Sequence, residues 1–298
     1  MAGRPPLSVV VPTVRGWGPV LQRTYGSIFT QMAAAAGELL VVDGSRVAPP
    51  RDLPVAVRWI GRPGVSVARL REVGLAEASG EIVAITEDHC VVASDWCAAV
   101  LRAHAEHPSA AAIGGSVDTG SRVHRVDWAS FYAGHAPWMA PLPRGEATHL
   151  DGINVSYKRR VLDRFRDGAH HGALETVLGA RLVAAGERLV TDDRIRVSHY
   201  QSYGILGTAV MHFHGGRAFE GHRAAMVGHR GRWSRAARCL VAPLPRAMRR
   251  LAMARAKGEP LRRIASLVPA MLWLMFAQSA GELAGVLSGA GDSPHRLH

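Results

Sequence analysis

EIVAITEDHCVV, residues 81–92, is an apolar run that passes straight into Glu87, Asp88 and His89 and then turns apolar again. Its first part, EIVAITED (81–88), rich in β-branched residues and preceded by Gly80, reads as a strand. Ionisable groups set into such a run are costly unless they are paired, solvated or bound to a metal. The stretch is therefore either a strand end reaching water or a site.

The segments on either side decide what kind of sheet this strand joins. LSVVVPT (7–13) is a short β-branched run closed by Pro12 and Thr13, and ELLVVDGS (38–45) is a second strand that stops at Asp-Gly-Ser. AVRWIG (56–61) is a weaker third. Residues 17–33 and 65–79 carry apolar residues at helical spacing, and Ser94-Asp95-Trp96 opens another helix with a good cap. Strands alternating with helices over about 110 residues predict a layered α/β/α domain with a mostly parallel central sheet. Ligands of such sheets sit beyond the carboxyl ends of the strands. Thr13, Asp43 and Glu87–His89 all stand at such ends and are expected to share one crevice.

Further along, Gly114-Gly115 precedes a stretch rich in His and Trp, and then DGINVSYKRR (151–160). GALETVLGARLVAAGERLV (172–190) is a helix leading into an extended segment that ends at His199. The alternation stops near residue 215. This predicts a catalytic domain over 1–215 and a basic, helical region over 216–298.

The chain has 298 residues, 48% of them hydrophobic, enough for a large core. Its net charge is +12, carried almost wholly by arginine, since Lys158 and Lys257 are its lysines. From Arg217 to Arg263 there are twelve arginines and one lysine against Glu220 and Glu259. This block leads into SLVPAMLWLMFAQSAGELAGVL (266–287), apolar but interrupted by Pro269, Gln278 and Glu282. A basic amphipathic segment beside an apolar helix suits an anionic membrane surface, and Glu282 argues against a simple span. The alternative is a helical pair packed on its own domain with solvated arginines. No nucleic-acid-binding module accompanies the block, so nucleic acid is not expected. Cys90, Cys97 and Cys239 form no disulfide framework and fit a reducing compartment. MAGRPPLSVVVP runs directly into a strand with no signal-type apolar region, so the expected location is cytoplasmic, peripheral at the inner face of the cell membrane.

Glu87, Asp88 and His89 supply hard oxygens and an imidazole, a set suited to Mn²⁺ or Mg²⁺, or else a solvated loop. Asp43 can accept hydrogen bonds from a ligand or cap the following turn. Arg69 and Arg71 can reach a diphosphate or stay in water. Glu175 is a lone acid on an apolar helix, and His199 is a single histidine at a strand end.

Taken in order, these segments resemble the family 2 inverting glycosyltransferases with the GT-A fold. LSVVVPT and ELLVVDGS resemble the family's first two strands, and VARLREVGLAEASGEIVAITEDHC its helix and strand leading to a D-x-D metal motif. ASDWCAAVL, DGINVSYKRRVL and ALETVLGARLVAAGERLVTDDRIRVSH match the later segments, over roughly residues 7–200 in all. The resemblance implies a nucleotide-diphospho-sugar donor held by Thr13, Asp43, Arg71 and Asp88, and a divalent metal, Mn²⁺ or Mg²⁺, at Glu87, Asp88, His89 and His199. It also implies a catalytic base at Glu175, and Gly152 and Asn154 on the acceptor side; the basic region, in turn, suggests that the acceptor is a lipid-linked or polysaccharide (glycan) molecule of the cell envelope. Trp96 is expected to pack behind the metal loop. Three departures stand out: Glu-Asp-His replaces D-x-D, Leu174-Glu175 replaces Glu-Asp, and Glu72 replaces an Asn. A non-catalytic nucleotide-sugar-binding or scaffold protein is the alternative they keep open.

Overall fold

The computed structural model describes residues 3–54, 56–165, 174–228 and 231–297, which fall into two compact units. The first comprises residues 1–118 and 140–199, and the second 119–139 and 200–297. The sequence reading broke the chain at 215; the structure instead passes to the second unit at Tyr200. The reason is α7 (Gly204–Val227), a continuous helix packed along α10 (Leu261–Ser288), which takes residues 204–215 with it.

The first unit opens with β1 (Leu7–Thr13), α1 (Pro19–Met32), β2 (Glu38–Asp43), β3 (Val57–Gly61), α2 (Val67–Glu77) and β4 (Ile82–Ile85). β5 (Cys90–Val92), α3 (Trp96–Glu106) and β6 (Ala110–Thr119) follow. β7 (Gly145–Ala147), β8 (Val155–Lys158), α5 (Arg159–Arg164), α6 (Leu174–Ala184) and β9 (Arg188–His199) complete it. The sheet order is β3-β2-β1-β4-β8-β6-β9-β5, with β7 on β9. β3, β2, β1 and β4 are mutually parallel, whereas β8 runs against both β4 and β6, and β9 against β5 and β7. All seven residues of β1 are buried, as a strand covered on both faces requires.

Two details of β1 place the crevice. Pro12 has no N–H to give to a sheet, and it stands two residues beyond Val10, where the pairing with β4 ends at Ile85. On the other side β1 stays paired to its last residue, Thr13 opposite Asp43. The chain leaving β4 is thus free to turn at Thr86–His89. Behind it, α2 lies close on β1 because Gly74 has no side chain: a Cβ there would be 2.2 Å from Val10 Cγ1.

The second unit contains α4 (Arg125–His135), α7, α8 (Arg232–Val241), α9 (Pro243–Ala256) and α10. α7 and α10 meet backbone to backbone. A Cβ on Gly281 would be 1.9 Å from the Phe213 carbonyl oxygen, and one on Gly216 2.3 Å from that of Gln278. Glu282 is buried on the same helix, where Arg246 Nη1 and Nη2 donate to its two oxygens at 2.7 and 3.1 Å and Gln278 Nε2 donates at 3.0 Å. Its charge is therefore compensated inside the unit. α10 is long and apolar enough to cross a membrane, with about two fifths of its most apolar window (39%) buried in the protein.

Gly281→Val should cost about 2 kcal/mol or more, because the intruding group meets backbone and not a movable side chain. Urea denaturation of the two proteins measures the difference.

Candidate metal and phosphate site

Everything at the end of β4 follows from a tight turn. The Cys90 N–H donates to the Glu87 carbonyl at 3.1 Å, and Cys90 then enters β5 directly opposite His199, the last residue of β9. This brings His199 beside His89, 110 positions away in the chain. His89 Nε2 lies 2.9 Å from His199 Nε2 and 3.2 Å from Glu87 Oε2, and His199 Nε2 lies 3.6 Å from the same oxygen. The two rings are tilted at 59° with centres 4.6 Å apart. Neighbouring ligands about 2.1 Å from one cation lie about 3 Å apart, so the three donor atoms fit a single divalent ion. Among the described residues, Glu87, His89 and His199 form the one such group.

Each carboxylate has its own arginine. Arg71 donates to Glu87 Oε1, leaving Oε2 to the histidines. Burial opposes ionisation of Glu87, but the His199 hydrogen bond and the charges of His89, Arg71 and His199 outweigh it and hold its carboxyl far below the usual range. Asp88, 5% exposed, is gripped on every side. Its Oδ2 accepts from Thr13 Oγ1 at 2.7 Å, and its Oδ1 from Arg15 Nη1 at 3.0 Å. Oδ1 also lies 2.7 Å from His89 Nδ1. The Asp88 carbonyl accepts from Thr24 Oγ1 at 2.8 Å.

The expected residues thus divide. Thr13, Arg71, Glu87, Asp88, His89 and His199 come together. Asp43 ends β2 beside Thr13, with its carboxylate accepting from the Ser45 N–H at 2.7 Å and the Ser45 hydroxyl at 3.0 Å, the turn-capping arrangement. Arg69 pairs with Glu72 on the exposed side of α2. Asn154 is fully buried: its Oδ1 accepts from Trp96 Nε1 at 3.0 Å and its Nδ2 donates to the Ser116 and Ile195 carbonyls at 2.9 Å each. The Asn154 side chain is therefore a strut inside the fold and not a group facing an acceptor, and Trp96, also fully buried, packs as expected. Gly152 lies in the turn that the Asn154 N–H closes on the Asp151 carbonyl at 3.3 Å. Glu175 stands on the first turn of α6, and its side chain lies outside the described residues. Arg15 and Thr24 are site residues that the sequence reading missed. The signal for Arg15 was its place two residues past Thr13, on the loop leaving the end of β1.

The model of a family described as glycosyl transferase family 2 matches residues 8–166. Among solved structures, the chain is similar to a mannosyltransferase, PcManGT from Pyrobaculum calidifontis, in complex with GDP-Man and Mn²⁺. The TM-score is 0.57 at 19% identity, over 97% of this chain and 88% of that one. At that identity the likeness is one of fold, a GT-A-like layered domain. No curated protein matches the sequence.

Because the folded Glu87 value is depressed below 4.5, its contribution to stability is complete above that pH and is lost as pH falls towards the folded value. Glu87→Gln should accordingly flatten the loss of stability between about pH 5 and pH 3, measured as denaturation midpoints across that range.

Proposed function

The chain belongs to glycosyl transferase family 2 and is a glycosyltransferase, and from that premise we propose a metal-assisted, inverting transfer from a nucleotide-diphospho-sugar to a lipid-linked or polysaccharide acceptor. Membership in the family decides between the two readings left open by the sequence, transferase and non-catalytic binder. The observation that carries the proposal is the convergence of Glu87 Oε2, His89 Nε2 and His199 Nε2 at the carboxyl ends of the parallel strands, where α/β sheets bind ligands.

Glu87, His89 and His199 would hold a divalent cation, as the fold neighbour holds Mn²⁺ beside GDP-Man. Bound there, the cation supplies neutralisation of the charge that grows on a departing diphosphate. The chain's own residues supply the rest. Arg71 and Arg15 balance the charges of Glu87 and Asp88, so the protein does not itself neutralise an incoming dication, and a phosphate anion is its natural complement. Asp43, beside Thr13 at the strand ends, would meet the nucleoside. Glu175 takes the proton of the acceptor hydroxyl as that oxygen attacks the anomeric carbon and the sugar–phosphate bond breaks. Attack from the face opposite the leaving group inverts that centre, and such proton transfer is typically worth about 10²–10⁴-fold.

An anionic membrane as the second partner is supported by α8 and α9. Trp233, Leu240, Val241, Leu244 and Met248 recur at helical spacing and are each more than half exposed (54–76%). Exposed Arg238 and Arg249 accompany them. Apolar side chains that find no cover in their own unit, next to arginines, match the interface of an anionic leaflet, which supports a protein peripheral at the inner face of the cell membrane.

Mn²⁺ should stimulate diphosphate release from a nucleotide sugar, and chelation with EDTA should abolish it. Glu175→Gln should lower transfer at least 100-fold while donor affinity, read by calorimetry, stays within a few-fold. Transfer at the wild-type rate in that variant would remove Glu175 as the base. Separately, the full chain should float with phosphatidylserine-containing liposomes, and the triple change Trp233→Ser, Leu240→Ser, Leu244→Ser should leave it in the soluble fraction; unchanged flotation would remove this face as the anchor.

A further inference from the structure

We propose that the outer face of α10, with the start of α7 beside it, is the contact through which two copies of this chain pair about a two-fold axis. The inference goes beyond the proposed function and does not rest on it.

Between Arg263 and Ser288, α10 carries Glu282 as its one charge, and that charge is buried against Arg246. The exposed side of the helix is therefore uncharged along this length. Ala265, Pro269, Trp273, Phe276, Ala280 and Leu287 are exposed and recur at steps of three, four and seven, the line of one helix face. α7 runs parallel beside it: Ile205 stands next to Trp273, Phe213 next to Gly281 and Arg217 next to Gly285. Ile205 and Leu206, at the start of α7, extend the strip at the Trp273 end, and these two with Trp273 and Phe276 are 47–70% exposed. An uncharged apolar strip of this length marks a contact surface.

What covers the strip follows from its chemistry. Trp273 Nε1 donates to the Ile205 carbonyl at 3.4 Å, so the one polar atom of the ring is engaged within the chain and its exposed part is hydrocarbon. A tryptophan at a lipid–water interface keeps that N–H for the wet side. The α8–α9 stripe has Arg238 and Arg249 beside it, whereas from Ala265 to Leu287 this strip offers an anion nothing. The chain carries a net charge of +12, so two copies repel where their arginines meet and approach most easily where there are none. The strip is also self-complementary. Laid antiparallel across the point between Phe276 and Ala277, it sets Trp273 of one copy against Ala280 of the other, and Pro269 against the half-buried Ala284. Large side chains meet small ones, and each contact is made twice, as a two-fold axis requires. About 33 Å of helix, at about 1.5 Å per residue, and a width of about 15 Å remove about 500 Å² from each copy. The total of about 1,000 Å² lies at the small end of specific interfaces.

Sedimentation velocity on the full chain, without lipid or detergent, tests the pairing. The expected result is a mass that rises with concentration from the 31.9 kDa of one chain to twice that, with a Kd of about 1–10 µM for a contact of this size. Trp273→Lys and Ala280→Glu should each raise Kd at least about 100-fold, because each sets a charge against an apolar group of the other copy. Mixed together, the two variants should recover pairing, since the lysine of one then meets the glutamate of the other. Both positions are exposed, and thermal unfolding checks that the variants are folded. A wild-type mass that stays at one chain at about ten times the expected Kd would overturn the proposal, and so would a dimer that both substitutions leave intact. A mixture of folded variants that stays monomeric would overturn the antiparallel register. A monomer whose flotation with liposomes is lost in Trp273→Lys would give the strip to the bilayer and overturn the pairing. Dimers that neither float nor release diphosphate from a nucleotide sugar would keep this inference and lose the proposed function.

Discussion

The pairing of Cys90 with His199 across β5 and β9 is the constraint on which the site depends. It is a backbone interaction, yet it sets the chemistry, because it places a histidine from the last strand of the first unit against a histidine from the fourth strand's exit turn. Both rings are nearly excluded from water, as is Asp88. Groups of this kind stay together only when each charge has a partner. The protein meets that condition with Arg71 on Glu87 and Arg15 on Asp88, supported by the hydroxyls of Thr13 and Thr24.

That compensation has a functional consequence. Two carboxylates opposed by two guanidinium groups make a cluster with little net charge, so a dication entering it keeps most of its field. An anionic ligand then gains from that field in a partly desolvated crevice, where charges interact more strongly than in water. The arrangement couples cation and phosphate through charge alone. The second unit meets a different demand. It buries Glu282 against Arg246 and closes α7 on α10 through glycines, while leaving the apolar stripe of α8 and α9 in the open.

Much of this was legible in the sequence. LSVVVPT, ELLVVD and IVAI read as strands because buried parallel strands are continuous apolar runs, and all three formed. The ionisable triplet after IVAI was visible as a site candidate, since charge is costly there. What was not legible is the division of labour within it. Which of Glu87, Asp88 and His89 faces the cation depends on where β9 brings His199 and where Arg15 points, and neither is a local property. The strand over residues 81–88 stopped at Ile85, because Glu87 closes a turn on Cys90. Asn154 looked like an acceptor-side residue, but its three bonds to Trp96, Ser116 and Ile195 are long-range contacts with no sequence signature. The unit boundary near Tyr200 was missed for a similar reason: α7 continues smoothly past residue 215, and only its packing on α10 assigns it.

The account stands on three donor atoms acting as one metal–diphosphate holder, and anomalous diffraction at the manganese edge from crystals grown with Mn²⁺ and GDP or UDP tests it most directly. The account predicts a single peak bordered by Glu87 Oε2, His89 Nε2 and His199 Nε2, with diphosphate oxygens completing its shell and Asp88 still bonded to Thr13. A peak coordinated by Asp88, or a diphosphate bound away from these three residues, would contradict it.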